Sequence, residues 1–156
     1  MSAQTFEALL REFGGKIGLP ELRPDERGYC ALSFDDLDAH LQYAGERDEL
    51  VVFTRLGVLD DEDRAGIYER MLEANLFWGG TNGGTLGVEP DSGMVFLMMK
   101  ADLCALDGAA FDDLLERFIA AGERWRQEVA AFAGEGETPP TGEEAPASLP
   151  DGLIRG

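Results

Sequence analysis

The sequence predicts an α+β domain in which helices cover an antiparallel β-sheet. Two observations support this fold class. Short segments that alternate apolar and polar side chains are separated by turn residues, as expected of half-buried strands. Three other segments carry apolar residues at spacings of three and four, as expected of amphipathic helices. The predicted order along the chain is αβββαββα, and such a separation of helices from consecutive strands is typical of α+β domains.

The length and composition favour one folded domain. At 156 residues the chain has the size of a single domain, and 44% hydrophobic residues are enough to form a core without metals or disulfides. From residue 134 onward the sequence consists mainly of Gly, Pro, Glu, Thr and Ala. We therefore expect a folded domain over residues 1–133 and a disordered, acidic, Pro- and Gly-rich tail over residues 134–156.

The charge balance restricts the classes of partner. The chain has 13 Lys and Arg against 31 Asp and Glu, which gives a formal net charge of −18 at pH 7. Such a surface repels phosphate backbones and anionic lipids, so we expect neither nucleic-acid binding nor membrane insertion. Basic proteins or peptides are the partners that it favours.

Three features of the sequence predict a cytoplasmic protein. The first residues lack a basic segment followed by an apolar run, so no signal peptide is expected. The longest strongly apolar stretch, residues 94–99, is too short to span a bilayer. Cys30 and Cys104 lie outside any CxxC motif and are predicted to be buried, free thiols of a cytosolic protein.

The first part of the chain predicts one helix followed by a three-stranded meander. Residues 5–13 carry apolar side chains at helical spacing, with Thr5 as the N-cap and two glycines after the end. Strands are expected at residues 29–34, 40–44 and 50–59, and the third is the most continuously apolar, as is typical of a central strand. Short turns rich in Asp and Gly between them favour antiparallel pairing.

The second part of the chain predicts a helix, a hairpin and a longer helix. Four acidic residues at 60–63 suit the start of the second helix because they face the positive end of its dipole, and a glycine pair after residue 78 ends it. Strands are expected at residues 85–89 and 94–103, joined by a type I turn. The last helix, residues 111–132, keeps one apolar stripe opposite a charged face.

No candidate active site emerges from the residue types. The glycine-rich segment 79–84 follows a helix and has no lysine, so a structural connection is favoured over a phosphate-binding loop. The consecutive acids at 60–63 lack the alternate spacing of a calcium loop. His40 is placed on the polar face of a short strand with no nucleophile beside it in sequence. We therefore predict a protein that is not an enzyme and binds neither a cofactor nor a metal ion.

Methionine is a further feature of the sequence. Met71, Met94, Met98 and Met99 have flexible, polarisable side chains. Such side chains adapt to varied partners when they are exposed and fill gaps in the core when they are buried. The sequence leaves open which of the two applies to each methionine.

The central and C-terminal segments resemble a known family. Residues 72–88 (LEANLFWGGTNGGTLGV) and the following residues 89–97 are similar to the signature of class I type III secretion chaperones, the Tir chaperone (CesT-like) family. In that signature a helix end leads through a glycine-rich turn to a hairpin. Residues 123–126 (ERWR) resemble the family's last helix, and residues 18–20 resemble part of its start. The resemblance covers residues 4–131.

The resemblance implies a function in protein secretion. Members of this family are small, acidic homodimers in the bacterial cytosol that lack ATPase activity. They bind the N-terminal segment of a type III effector, keep it extended and assist its export, which makes the export ATPase a further candidate partner. A regulatory partner-switch of the same fold, which sequesters a regulator of secretion genes, is the alternative function.

The resemblance also implies two sets of site residues. In this family the effector groove lies between the first helix and the sheet. The candidate effector-binding residues are Phe6, Leu9, Leu10, Phe13, Leu32, Phe34, Leu41, Tyr43 and Phe53. Only one face of each strand can look outward, so some of these must be core, and the sequence does not sort them.

The second set is the homodimer interface, because the family buries the second helix and the strand after it across a two-fold axis. The candidate interface residues are Ile67, Met71, Leu72, Asn75, Leu76, Trp78, Thr85, Leu86 and Val88. The chain departs from the family at Trp78, which is bulkier than the small residue expected in that turn.

Overall fold

The computed structural model describes residues 2–60 and 64–133. Within these ranges the elements follow the predicted order αβββαββα, which confirms the fold class. The helices are α1 (Ser2–Lys16), α2 (Arg64–Asn75) and α3 (Gly108–Phe132). The strands are β1 (Tyr29–Phe34), β2 (Leu37–Ala44), β3 (Glu49–Val58), β4 (Thr85–Val88) and β5 (Met94–Asp102). The predicted tail at 134–156 lies outside the described residues.

The five strands form one antiparallel sheet in the order β1-β2-β3-β5-β4. The first three strands are the predicted meander, and β4 and β5 are the predicted hairpin. The long strand β3 joins the two units by pairing with β5. The register of this pair shifts between Arg55 and Gly57, and Gly57 has a φ of 143°. A bulge of this kind bends the strand and increases the local twist.

The three helices contribute to one hydrophobic core on a single face of the sheet. From α3, Phe111 and Phe118 are fully buried, and from α1 Phe6 and Leu10 are fully buried. The sheet contributes alternate residues of its strands, such as Leu50 of β3, because neighbouring residues of a strand point to opposite faces. The apolar stripes of α1 and α3 that the sequence predicts are therefore the stripes that pack on the sheet.

Four elements begin earlier than predicted: β3 begins one residue earlier, and α1, β2 and α3 each begin three residues earlier. α1 begins at Ser2, so Thr5 lies inside the helix and is not its N-cap. The helix also continues to Lys16, through the glycine pair that was predicted to follow its end. β2 begins at Leu37 rather than at residue 40, because Leu37 and Ala39 turn toward the helices and are buried. Leu37 packs on Gly122 of α3, where an added Cβ would lie 2.7 Å from a methyl carbon of Leu37.

The end of α2 and the burial of Cys104 also differ from prediction. α2 ends at Asn75, and a 3-10 turn over Leu76–Trp78 precedes the glycine pair that the sequence marks as the helix end. Of the acidic residues predicted to begin this helix, 61–63 lie outside the described residues. Cys30 is buried as predicted, but Cys104 is exposed because it lies in the 3-10 turn after β5.

Candidate functional site

The second face of the sheet lies outside the core that the helices enclose. Its side chains alternate along each strand with the core residues and do not belong to the core cluster of the described chain. Polar side chains such as Gln42, Arg55 and Lys100 lie on this face around a centre of aromatic and aliphatic side chains. We call this centre the open sheet face, and its residues are Tyr29, His40, Val51, Phe53, Phe96 and Met98. Phe53 is only 7% exposed and the other five residues are half-buried, so this face presents partly covered rings and aliphatic side chains.

Aromatic rings form a row across the open sheet face. His40 lies between Tyr29 and Phe53, with ring centroids 6.1 and 5.0 Å away and planes 18° and 25° apart. Phe53 also lies 6.4 Å from the ring of Phe96. The Tyr29 hydroxyl and Nδ1 of His40 are 2.7 Å apart, which links β1 to β2. His40 shares the polar face of β2 with Asp38 and Gln42, as predicted, and its ring stacks there between two aromatic rings of the neighbouring strands.

Burial also changes the protonation of this row. Desolvation lowers the pKa of His40, and the positive charge of Arg55 lowers it further, whereas Asp38 raises it. Desolvation raises the pKa of Tyr29. Both shifts favour neutral rings, so the row presents an uncharged surface at neutral pH.

Acidification should destabilise the fold through His40. Its pKa is lower in the folded chain than in the unfolded chain, so the unfolded chain takes up a proton first as the pH falls below about 6.5. The urea midpoint of the wild type should therefore fall more steeply between about pH 7 and pH 5 than that of His40→Gln, which has no titrating ring. Parallel pH profiles of the two proteins would contradict the lowered pKa.

A groove of about 450 Å³ lies between the N-terminal half of α1 and the end of β2. Phe6 of α1 forms part of its floor and Tyr43 of β2 part of its wall. Glu7, Asp25 and Glu26 also line it together with Arg27, so acidic side chains outnumber basic ones at its rim. This groove lies where the family resemblance places the effector groove, between the first helix and the sheet.

The structure sorts the nine predicted effector-binding residues. Five of them, Phe6, Leu9, Leu10, Leu32 and Leu41, are at most 6% exposed and belong to the core. The role of the other four stays a prediction. Phe13, Phe34 and Tyr43 are half-buried, and Phe53 is 7% exposed but lies on the open sheet face, outside the core cluster.

A second apolar surface surrounds the end of α2. Leu72 and Leu76 are 70% and 64% exposed, and Phe77 and Trp78 are 85% and 57% exposed. We call these four residues the α2 apolar cluster. Phe77 and Trp78 have φ values of 51° and 55°, in the left-handed region that large side chains rarely adopt. Each such residue costs about 1–2 kcal/mol, so the surrounding structure must hold them in place.

Side chains of α3 hold the loop that follows the cluster. The carbonyl oxygen of Gly80 accepts hydrogen bonds from the Arg124 guanidinium and, at 2.8 Å, from Nε1 of Trp125. Arg117 donates to the carbonyl of Asn82 at 3.0 Å. Gly80 packs against Ala74, where an added Cβ would approach to 2.6 Å. The ERWR segment of the last helix therefore fixes the loop that presents Phe77 and Trp78.

The two edges of the sheet differ in their accessibility. At the β4 edge the side-chain amide of Asn75 donates to the Leu86 carbonyl at 3.0 Å and accepts from the Leu86 N–H at 2.8 Å, as a neighbouring strand would. At the β1 edge the N–H of Asp25 donates to the carbonyl of Tyr29, the first residue of the strand, at 2.8 Å. The alternation of a strand turns Ala31 and Ser33 to the same side, where no main chain of the described residues pairs with them.

The predicted interface residues fall into three groups. Ile67, Met71 and Leu86 are buried in the core, Asn75 and Val88 are half-buried, and the remaining four are exposed. Those four are Leu72, Leu76, Trp78 and Thr85. Phe77 was not among the predicted interface residues. Leu76, Phe77 and Trp78 are three consecutive large apolar residues at the end of a helix, and such a run cannot turn all its side chains toward one core.

The aromatic row was also missed. Its signal lies in β5, where Phe96 and Met98 alternate with Val95 and Leu97, so that both faces of the strand are apolar.

Among residues 2–60 and 64–133, no three His, Cys, Asp or Glu side chains form a group that could hold a metal ion. None of the described helices is long and apolar enough to cross a membrane.

A match to the model of a protein family identifies the family of this chain. Residues 8–126 match the model of the Tir chaperone protein (CesT) family. The chain belongs to this family. In this Tir chaperone family member the motif at 72–97 spans the end of α2 and the β4–β5 hairpin, as the resemblance predicts. The motif at 123–126 lies in α3, the last helix, and its Trp125 donates to the Gly80 carbonyl.

Relatives of known structure share this fold. The chain is 35% identical over 71 residues to the transcriptional anti-antiactivator ExsC of Pseudomonas aeruginosa. The matched segment covers 45% of this chain and 48% of ExsC, which is about half the length of that relative. The ExsC–ExsE complex contains a chain with a TM-score of 0.68 and 27% identity, covering 81% of this chain and 95% of that one. The Yersinia pestis type III secretion chaperone SycH, solved with a YscM2 fragment, has a TM-score of 0.60 and 25% identity, covering 77% and 98%.

Proposed function

We propose that this protein is a bacterial, cytoplasmic type III secretion chaperone that binds the N-terminal segment of an effector and keeps it extended for export. The open sheet face is the observation that carries this proposal. A member of the Tir chaperone family here presents a row of aromatic rings and a methionine on a sheet face outside its core. Binding alone keeps a segment extended, so the proposed function requires neither catalysis nor a cofactor.

The β1 edge supplies the main-chain contacts that an extended segment needs. Ala31 and Ser33 turn their N–H and C=O groups outward, so an effector strand can add to the sheet there. Asn75 occupies the corresponding position at the β4 edge and directs strand addition to β1. Side chains of the added strand alternate between the two faces, and apolar ones can then reach the open sheet face.

The acidic groove beside α1 favours effectors with basic residues near their apolar anchors. Glu7, Asp25 and Glu26 surround its rim, and the whole chain carries a formal charge of −18. Complementary charge speeds association and selects partners more than it raises affinity. Phe13, Phe34 and Tyr43, the partly exposed members of the predicted set, remain candidate contacts on this side.

We further propose that the protein is a homodimer and that the α2 apolar cluster is the centre of its interface. Four large apolar side chains more than half exposed would otherwise remain in water. A two-fold axis lets the same patch cover itself in a second copy, and this is the most frequent symmetry of oligomers. Delivery to the export ATPase would then involve the dimer.

A second candidate function is a regulatory partner-switch that sequesters a regulator of secretion genes. The relative that favours it is ExsC, a transcriptional anti-antiactivator that is 35% identical over 71 residues. The ExsC–ExsE structure also has the same fold as this chain, with a TM-score of 0.68. The same open sheet face would serve both functions, because each requires a protein partner and no chemistry.

Met98→Asp should weaken partner binding at least tenfold. Met98 is half-buried in the open sheet face, so a carboxylate there would face the apolar part of any bound segment. Loss of one apolar anchor costs about 1.5–3 kcal/mol, or tenfold or more in the dissociation constant. The partner is first captured with the wild-type protein from the native bacterium and identified. Its N-terminal segment is then titrated calorimetrically into both proteins.

Ala130→Asp is the matched control, since Ala130 is exposed on α3, away from the sheet face, and its substitution should leave the affinity unchanged. Capture of a secreted effector supports the chaperone, and capture of a regulator of secretion genes supports the partner-switch. A folded Met98→Asp variant that binds with unchanged affinity would rule out the open sheet face as the site.

A further inference from the structure

A second groove, of about 430 Å³, lies between α1 and α3 on the helical side of the sheet, opposite the open sheet face. Phe13 of α1 and Leu115, Ile119 and Ala120 of α3 line it. Phe13 is held by edge contacts with the rings of Phe34 and Phe111, whose centroids are 6.5 and 5.9 Å away. The groove therefore has an apolar floor of fixed shape.

Carboxylates flank this floor along α3. Glu116, Ile119, Ala120 and Glu123 follow the spacing i, i+3, i+4 and i+7, so they lie along one stripe of the helix. Neither Glu116 nor Glu123 forms an ion pair within the part of the chain that the structure describes. Two turns of helix separate the two carboxylates by about 10 Å along the axis.

The third carboxylate at the groove, Asp112, is already paired. Nζ of Lys16 lies 2.6 Å from Oδ2 of Asp112, which also ties the end of α1 to α3. The negative charge available to a partner is therefore concentrated at Glu116 and Glu123. The small side chain of Ala120 between them leaves room for close approach of a second backbone.

We infer that this groove binds a basic amphipathic helix of a second protein. Apolar residues of such a helix would cover Phe13 and Ile119, and Lys or Arg one or two turns apart would pair with Glu116 and Glu123. A helix laid in a groove between two helices buries its apolar stripe and keeps its charges at the rim. The site lies on the side opposite the open sheet face and shares only Phe13 with the candidate effector-binding residues, so it goes beyond the proposed function.

Two synthetic peptides test this inference with the full-length protein. Both have about 18 residues of Ala, Leu and Lys, enough for measurable helix formation. In one peptide the leucines form a stripe flanked by lysines, and in the other the same residues are scrambled so that no stripe forms. NMR titration of ¹⁵N-labelled protein should shift the amides of Phe13, Ile119 and Ala120 with the striped peptide. Its affinity should exceed that of the scrambled peptide about tenfold or more.

Charge-reversed variants separate a specific groove from general attraction to an acidic protein. Glu116→Lys with Glu123→Lys should weaken binding of the striped peptide about tenfold. Glu46→Lys with Asp91→Lys makes the same change in net charge at two exposed turns and should weaken it less than about threefold.

Four outcomes would overturn the inference. The first is equal weakening in the two double variants, and the second is equal affinity for the striped and scrambled peptides. The third is a set of shifted amides on the open sheet face or around Glu7 and Glu26. A change of oligomeric state in Ile119→Asp would also overturn it, because a second copy of this chain would then be the occupant of the groove.

Discussion

Leu10→Asp should unfold the domain. Leu10 is fully buried in the core, so the substitution loses about 1.5–3 kcal/mol of apolar burial and places a carboxylate among apolar side chains. The loss should exceed about 4 kcal/mol, a large part of the 5–15 kcal/mol that stabilises a typical domain. Circular dichroism should show loss of the cooperative thermal transition at neutral pH.

Arg11→Asp is the control for this result, because Arg11 is the next residue of α1 and is exposed. It loses an exposed ion pair with Glu7, in which the two atoms are 2.7 Å apart, and such pairs contribute about 0.2–1 kcal/mol. Arg11→Asp should therefore keep its transition. A Leu10→Asp protein that is folded with the wild-type urea midpoint would contradict the burial of Leu10 and return it to the candidate effector-binding residues.

Phe77→Asp should convert the proposed dimer into a folded monomer. Phe77 is 85% exposed, so its removal costs the isolated chain little burial. Aspartate also tolerates left-handed backbone better than phenylalanine does, and the φ of 51° at this position is therefore less costly in the variant. In a two-fold interface the side chain is lost twice, which removes about 3–6 kcal/mol of burial and raises the dimer dissociation constant by about 10²–10⁴.

Light scattering at micromolar concentration measures this effect against a chain mass of 17.0 kDa. Leu19→Asp is the control, since Leu19 is 50% exposed in the loop after α1, and this variant should keep the wild-type mass. A wild-type mass equal to that of one chain would contradict the homodimer. A dimer that persists in Phe77→Asp would place the interface away from the α2 apolar cluster.

The order and type of the elements could be predicted from local patterns. β1 has the predicted bounds, and α3 follows the longest apolar stripe of the sequence, because a helix of 25 residues repeats its period many times. The hairpin of β4 and β5 was also predicted from its turn. The start of β2 could not be predicted from the sequence. Leu37 stands among acidic residues, and it packs in the structure on Gly122, which is distant in sequence.

The candidate site could be predicted only in part, since neighbouring residues with similar side chains have opposite environments. Met71 is 4% exposed and Leu72 is 70% exposed, although both are apolar residues of α2. Leu10 lies in the core and Phe53 on the opposite face of the sheet, although the family resemblance places both at one groove.

The sequence by itself therefore determined the fold class and the family. Its periodicities show which residues of one element share a face, and this information is local. Only the tertiary structure decided which face is covered. On β5 both faces are apolar, and the core that the helices form with the sheet includes Val95 and Leu97 and leaves Phe96 and Met98 on the open sheet face. The face that a helix covers depends on contacts between residues far apart in the chain, and a local sequence pattern cannot predict those contacts.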